Sequence, residues 1–300
     1  MQFLAIGIIA AMFAGCGAGS SPPSPPPSKL EKSASQPSST PSELTPGEAA
    51  TSTLTVVPVP TSLPALDDPQ QIAAELIGAE AAIRSESTPP EAFSRLGRVQ
   101  QAAYRKLVAD PSYRAVAIAK APPALKQVVQ ANIQAGAELR SLTKPAEKIP
   151  DWKIVQPTPA EELRRYYQQA QDRFGIPWAY LASIHLVETR MGRIRGTSSA
   201  GAQGPMQFIP GTWAQYGEGD INDPHDAIFA AARYLKASGA PAAMDKALFA
   251  YNRSQRYVSA INIYTKQMLD DERTYLAFYH WQVYVRTTSG DVLLEVGYGQ

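Results

Sequence analysis

The chain has 300 residues and carries 28 Lys and Arg against 27 Asp and Glu, a net charge of +1. So even a balance excludes the concentrated basic face of a nucleic-acid binder, and 44% apolar with 9% aromatic residues excludes a wholly disordered chain. The single cysteine, Cys16, excludes an internal disulfide and a cysteine-based zinc cluster, and His185, His225 and His280 lack zinc-ligand spacing.

The apolar run from Phe3 to Ala14 contains no charge. It is too short to span a bilayer, which takes about 20 apolar residues, but it suits the apolar region of a secretion signal. It ends in Phe13-Ala14-Gly15-Cys16, which resembles the lipobox of bacterial lipoproteins. The resemblance implies a signal peptide over residues 1–15, cleavage before Cys16, and a lipid on the Cys16 sulfur. Phe13 stands where Leu is usual, and no Lys or Arg precedes the run. An ordinary cleaved signal with an incidental cysteine is the alternative.

Residues 16–66 are rich in Ser, Pro and Thr, as in Ser20-Ser21-Pro22-Pro23-Ser24-Pro25-Pro26-Pro27. No helical or strand period survives there, so a disordered tether is expected. A coil of that length averages roughly 40 Å end to end and reaches ~150 Å as extended polyproline.

Residues 67–150 read as a helical accessory region. Gln71 to Ile83 repeats apolar residues at three and four, Thr88-Pro89-Pro90-Glu91 starts a helix running to Val108, and another spans Pro122 to Leu142. No acid cluster, Gly-rich phosphate loop or ligand spacing occurs there.

Residues 151–300 carry most of the aromatics. Helices are expected over Pro157–Phe174, from Pro177 to near Gly192, from the cap Asp223 through Leu235, and over Asp245–Asn252. Trp281–Arg286 and Val292–Val296 flank Ser289-Gly290-Asp291 and read as a β-hairpin.

On the Pro177 helix, Leu181 and Ile184 share a face with Glu188, which therefore projects among apolar residues near the helix end. Lost hydration and the negative end of the helix dipole both favour its protonated form, the state a general acid needs at neutral pH. Arg190, Arg193 and Arg195 would act in the opposite sense if they curled toward it. Taken alone, an acid on an apolar face, such as Glu188, is more often half of a buried ion pair.

Its company decides otherwise. Ser198-Ser199-Ala200-Gly201-Ala202-Gln203-Gly204-Pro205-Met206-Gln207-Phe208 follows, and later Ala250-Tyr251-Asn252. This trio resembles the lytic transglycosylases with the soluble-transglycosylase, goose-type lysozyme-like domain (glycoside hydrolase family 23). Their pattern is a Glu closing a helix, a Ser-x-x-Gly-Ala-x-Gly-Leu-Met-Gln loop, then Ala-Tyr-Asn. Thr189 stands for the usual Ser after the Glu, Pro205 replaces Leu, and Arg253 follows Asn252.

The resemblance implies a mainly α fold: a lysozyme-like catalytic domain with a C-terminal β-hairpin, preceded by the helical N-terminal region. It implies Glu188 as acid and base, and Ser198, Met206, Gln207, Tyr251 and Asn252 as substrate-binding residues, Tyr251 steering the Glu. The implied reaction is cleavage of the β-1,4 bond between N-acetylmuramic acid and N-acetylglucosamine, leaving a 1,6-anhydro end. Glycan strands of peptidoglycan are then the partner, with the membrane reached through Cys16, and a monomer without cofactor is expected.

A common hydrolase sets a second carboxylate ~5–9 Å from the first. The candidates Glu218, Asp220, Asp223 and Asp226 sit in a loop and a helix start with structural duties. Asp220-Ile221-Asn222-Asp223 lacks the glycine and distant Glu of a calcium loop, so no metal is expected. A muramidase and a non-catalytic wall-binding lipoprotein remain the rival readings.

Overall fold

A computed structural model describes residues 67–300. The signal peptide, Cys16 and the tether lie outside the described residues. Four helices open the described part: α1 (Pro69–Ile83), α2 (Phe93–Ala109, entered through a 3-10 turn at Pro90–Ala92), α3 (Pro111–Lys120) and α4 (Pro123–Ser141). Asp68 caps α1 through Gln71 N, and Asp110 caps α3 through Ser112 N, each followed by proline in the first turn. The cap-proline pair that marks α3 is the one read at Asp223-Pro224, yet α3 was not among the sequence expectations.

The chain continues through β1 (Lys153–Ile154), α5 (Ala160–Phe174), α6 (Trp178–Thr189), β2 (Ile194–Arg195), α7 (Pro210–Tyr216), α8 (Pro224–Ala237) and α9 (Met244–Tyr251). It closes with α10 (Gln255–Asp270), α11 (Arg273–Tyr279), β3 (Val283–Thr287) and β4 (Gly290–Leu294). The fold is mainly α with a C-terminal β-hairpin. Asp223 caps α8 as expected, its side chain accepting from Asp226 N. Thr158 does not cap α5; its carbonyl instead accepts from the Tyr279 hydroxyl. In the hairpin, Thr287 pairs with Gly290, so Thr288 and Ser289 make the turn and Gly290 belongs to the ladder.

Residues 67–300 lie within one compact unit. Its main core joins Ile72 and Leu76 of α1, Leu107 of α2 and Ile133 of α4 to Leu181 of α6 and Ile261 of α10. Helix α4 lies against α10. There Asn132 and Gln267 exchange two amide hydrogen bonds, both 2.9 Å, a pairing that fixes register while leaving neither amide unpaired in the core. A smaller core of Trp152, Ile154, Ile194, Val283, Val285 and Leu294 joins residues of the two small antiparallel sheets, β1–β2 and β3–β4.

Helix α6 is the centre of this arrangement. Eleven of its twelve residues are buried, so it is enclosed rather than striped. The enclosure exceeds the apolar face expected for Glu188: of the twelve residues only Tyr180 is partly exposed.

Candidate active site

The end of α6 sets the site. The helix stops at Thr189, three residues short of the expected Gly192, because Arg190 (φ 54°), Met191 (φ 60°) and Gly192 (φ 83°) turn left-handed in succession. Two of these carry side chains, and each such residue costs roughly 1–2 kcal/mol of backbone strain. Local bonds offset it. Met191 N donates to the His185 carbonyl at 3.1 Å, and the Thr189 hydroxyl accepts from Gly192 N at 3.0 Å while donating to the Pro205 carbonyl at 2.6 Å.

Glu188 lies two residues before this reversal and is only 3% exposed. The Tyr257 hydroxyl donates to its Oε1 at 2.9 Å. Burial pushes its carboxyl up to about 8, against a smaller opposing pull from that hydrogen bond. None of the nearby arginines counters the shift: Arg190 Nη1 donates to the Leu186 carbonyl, Arg193 Nη1 to the Arg190 carbonyl, and Arg195 Nη1 to the Asn222 carbonyl. Among the described residues, no cation forms an ion pair with Glu188. With Oε1 receiving a donor, the acid proton belongs on Oε2.

The glycine-rich loop folds around Ser198. Its hydroxyl oxygen accepts from Ala200 N at 3.2 Å and Ala202 N at 2.8 Å, so the side chain organises the loop itself. Gln203 and Phe208 exchange two backbone bonds of 2.9 Å and pinch off a tight turn between them. Gly204 (φ 72°) is required in that turn, since a Cβ there would collide with the Ile221 carbonyl. Gln207 is also left-handed (φ 53°), and its Nε2 donates to the Gly204 carbonyl at 2.8 Å. Its buried Oε1 meets no protein donor.

Met206 is fully buried and belongs to the core; its carbonyl accepts from the Tyr251 hydroxyl at 2.7 Å. Tyr251 thus holds the loop instead of bonding Glu188, although it lies near enough for the Glu188 charge to raise its own proton affinity further beyond the effect of burial. Phe208, Tyr251, Tyr234 and Tyr216 form a chain of edge-on ring contacts that props up this side of the loop. Asn252, 1% exposed, follows directly. The tyrosine on the carboxyl is Tyr257 of α10, a residue sequence reasoning passed over. A cap at Ser254 and apolar residues at Tyr257, Ile261, Tyr264 and Met268 were the available signal for its helix.

The other acids are occupied elsewhere. Glu218 pairs with Arg233 at 3.0 Å, Asp220 accepts from Asn222 N at 2.8 Å, and Asp226 accepts from Asp220 N at 3.0 Å. Asp223, His225 and Asp226 bring potential ligand atoms within 4.8 Å of one another, but they are partly exposed and already cap α8 and its preceding loop. No acid is among the causes that set the Glu188 shift. The arrangement is chemically suited to deliver one proton from a single buried carboxyl beside a rigid, glycine-rich loop.

Residues 165–272, from α5 through α10, match the family model of the transglycosylase SLT domain. This segment is similar to transglycosylase SLT domains. It contains Glu188, the Ser198–Phe208 loop, Tyr251, Asn252 and Tyr257. Over 105 residues the chain is 32% identical to membrane-bound lytic murein transglycosylase F of Thiobacillus denitrificans, covering 32% of this chain and 22% of that protein. The chain thus matches less than a quarter of that relative's length. No solved structure matches.

Proposed function

We propose that the protein is a peptidoglycan lytic transglycosylase in which Glu188 acts first as acid and then as base. The observation that carries this reading is the buried Glu188 carboxyl, held protonated near neutral pH beside the SLT loop without a second carboxylate coupled to it. Protonated Oε2 donates to the glycosidic oxygen between N-acetylmuramic acid and N-acetylglucosamine. The substrate's N-acetyl oxygen stabilises the cation developing at C1. The ionised carboxylate then takes the proton of the C6 hydroxyl, whose oxygen attacks C1 and closes the 1,6-anhydro ring. One group serving in both directions accords with microscopic reversibility, and the absence of a water step removes the need for the second carboxylate of ordinary hydrolases.

In this reading Ser198, Gln207, Tyr251 and Asn252 shape the groove for the aminosugar, Met206 contributes through its carbonyl, and Tyr257 orients the acid. The test is digestion of purified peptidoglycan by the full chain and by Glu188→Gln, with products weighed. The wild type should release anhydro-muropeptides, lighter by one water than hydrolysis products, and the variant should lose about 10²–10⁴-fold in rate. Products of hydrolytic mass would establish a muramidase instead. Equal clearing by both proteins would leave a wall-binding role.

The domain order proposed with this function is a lipoprotein signal over residues 1–15, a tether over 16–66, a helical accessory region over 67–150 and the catalytic domain over 151–300. The relative's name describes it as membrane-bound, which supports anchoring of this chain through a lipid on Cys16, outside the cytoplasm and within reach of the wall. Cys16→Ala should then move the protein from the membrane fraction to the soluble exported fraction.

A further inference from the structure

The reversal after Glu188 places Arg190 in the lining of a cavity that none of the residues of the glycine-rich loop lines. It has a volume of about 90 Å³ and opens between α2, α4 and α10, with Arg105, Arg140, Arg190, Asn132, Tyr264 and Trp281 in its lining. That is room for several waters, of which one needs ~10–15 Å³, or for one small anion. Tyr264 stands seven residues past Tyr257 on α10, on the same face and two turns on, which places the cavity about 10 Å along that helix from the acid's tyrosine.

Its charges do not balance. Asp291, on the hairpin, is the one acid paired with these arginines among the described residues: Arg105 Nη2 meets its Oδ2 at 2.6 Å, and Arg140 Nη1 stands 4.0 Å from its Oδ1. Arg190 has no acidic partner among the described residues and turns one Nη toward the Leu186 carbonyl. Arg105, additionally stacked over Tyr284 at 4.1 Å, is depressed to about 10, by burial first and with Arg190 among the charges pressing it down. Burial depresses Arg190 as well. Two of the three guanidinium groups thus share one carboxylate, and the third has none. Such cations are costly to keep without a counter-charge, and guanidinium forks match the planar and tetrahedral oxygens of carboxylate and phosphate.

We propose that this cavity binds a small oxyanion, gripped by Arg190 and Arg140 with the Asp291-paired Arg105 behind them. Occupancy supplies the missing negative charge and fixes Arg190, two residues beyond Glu188, in its left-handed conformation. The oxyanion comes either from a peptide carboxylate or from free phosphate. The proposal is independent of the transglycosylase reading, because it concerns binding and not cleavage.

The test is thermal melting of the full chain at constant ionic strength, titrated with inorganic phosphate or with acetyl-D-alanine against a chloride reference. The wild type should melt higher in at least one of the two. A response to acetyl-D-alanine assigns the site to carboxylates, and one confined to phosphate assigns it to phosphate. Arg190→Gln should weaken that binding about tenfold, the worth of one charge-assisted hydrogen bond. Arg140→Gln, with a more exposed side chain, should act in the same direction and serves if the first variant folds poorly. Asp291→Asn should tighten binding, since it frees Arg105 and Arg140. No response above chloride to either anion overturns the proposal, as does an undiminished response in both arginine variants or weaker binding in Asp291→Asn.

Discussion

Glu80 among the N-terminal helices and Glu188 in the SLT segment are both buried acids on helices, and the molecule treats them in opposite ways. Glu80 is completely covered, yet its Oε2 pairs with Arg84, and its Oε1 accepts from Tyr104, from Gln100 at 3.1 Å and from Asn132 at 3.3 Å. Glu188 is given one neutral donor, Tyr257, and no cation. A carboxylate supplied with a counter-charge and three donors ties helices together. A carboxyl supplied with little beyond burial retains its proton and can give it away. Burial alone therefore does not separate the two acids; the poverty of Glu188's partners does, and the proposed role of Glu188 rests on it.

Removing each acid should separate the two roles. Glu80→Ala strands Arg84 and leaves the Tyr104, Gln100 and Asn132 donors without their acceptor, so it should cost about 3–5 kcal/mol in urea unfolding. Glu188→Gln should do the reverse. The folded chain holds the Glu188 proton up to about pH 8, whereas an unfolded Glu releases it near 4.5. Between those values ionisation favours the unfolded state, and wild-type stability declines by about 1.4 kcal/mol per pH unit. The Gln variant escapes this decline and should gain about 3 kcal/mol at pH 7, the gain vanishing below pH ~4.5. An equal difference at pH 4 and pH 7 would erase the contrast between the two acids.

Tyr257→Phe sharpens the comparison by impoverishing Glu188 further. The hydroxyl favours the ionised carboxylate, so its loss should raise the proton affinity still more. Turnover needs the protonated acid, and its alkaline limb should move up by about one pH unit. Loss of orientation should lower the maximum about tenfold. An unmoved limb would mean that the hydroxyl only fills space.

These two acids also show what the chain discloses before it is folded. Glu188 was legible because Leu181 and Ile184 share its face and because the Ser198–Gln207 and Ala250–Asn252 motifs follow in order. The helices around it were legible where a cap meets a proline, as at Asp223-Pro224. Tyr257 was not, since its pairing with Glu188 spans 69 residues and no local pattern distinguishes it from a core tyrosine. The Glu80 cluster was equally hidden, its partners Gln100, Tyr104 and Asn132 lying 20, 24 and 52 residues away. The burial of α6 depends on α5, α8, α10 and α11 closing over it, which no periodicity within its own twelve residues could reveal.

Thr189 tests whether the loop and the acid behave as one body. Its hydroxyl is the direct link from the end of α6 to the glycine-rich loop, donating to the Pro205 carbonyl and accepting from Gly192 N. Both groups are buried in that contact, and Thr189→Val preserves its shape while removing both bonds. The cost to stability should be about 1–3 kcal/mol, the penalty for leaving buried polar groups unmade. Turnover should fall about tenfold as the loop loses its register against Glu188, without moving the alkaline limb, since Thr189 does not touch the carboxyl. Thr189→Ser keeps the hydroxyl and should restore both stability and rate. A rate loss in Val that Ser does not repair would locate the effect in the lost methyl packing, and the loop would then be held by Tyr251 on the Met206 carbonyl alone.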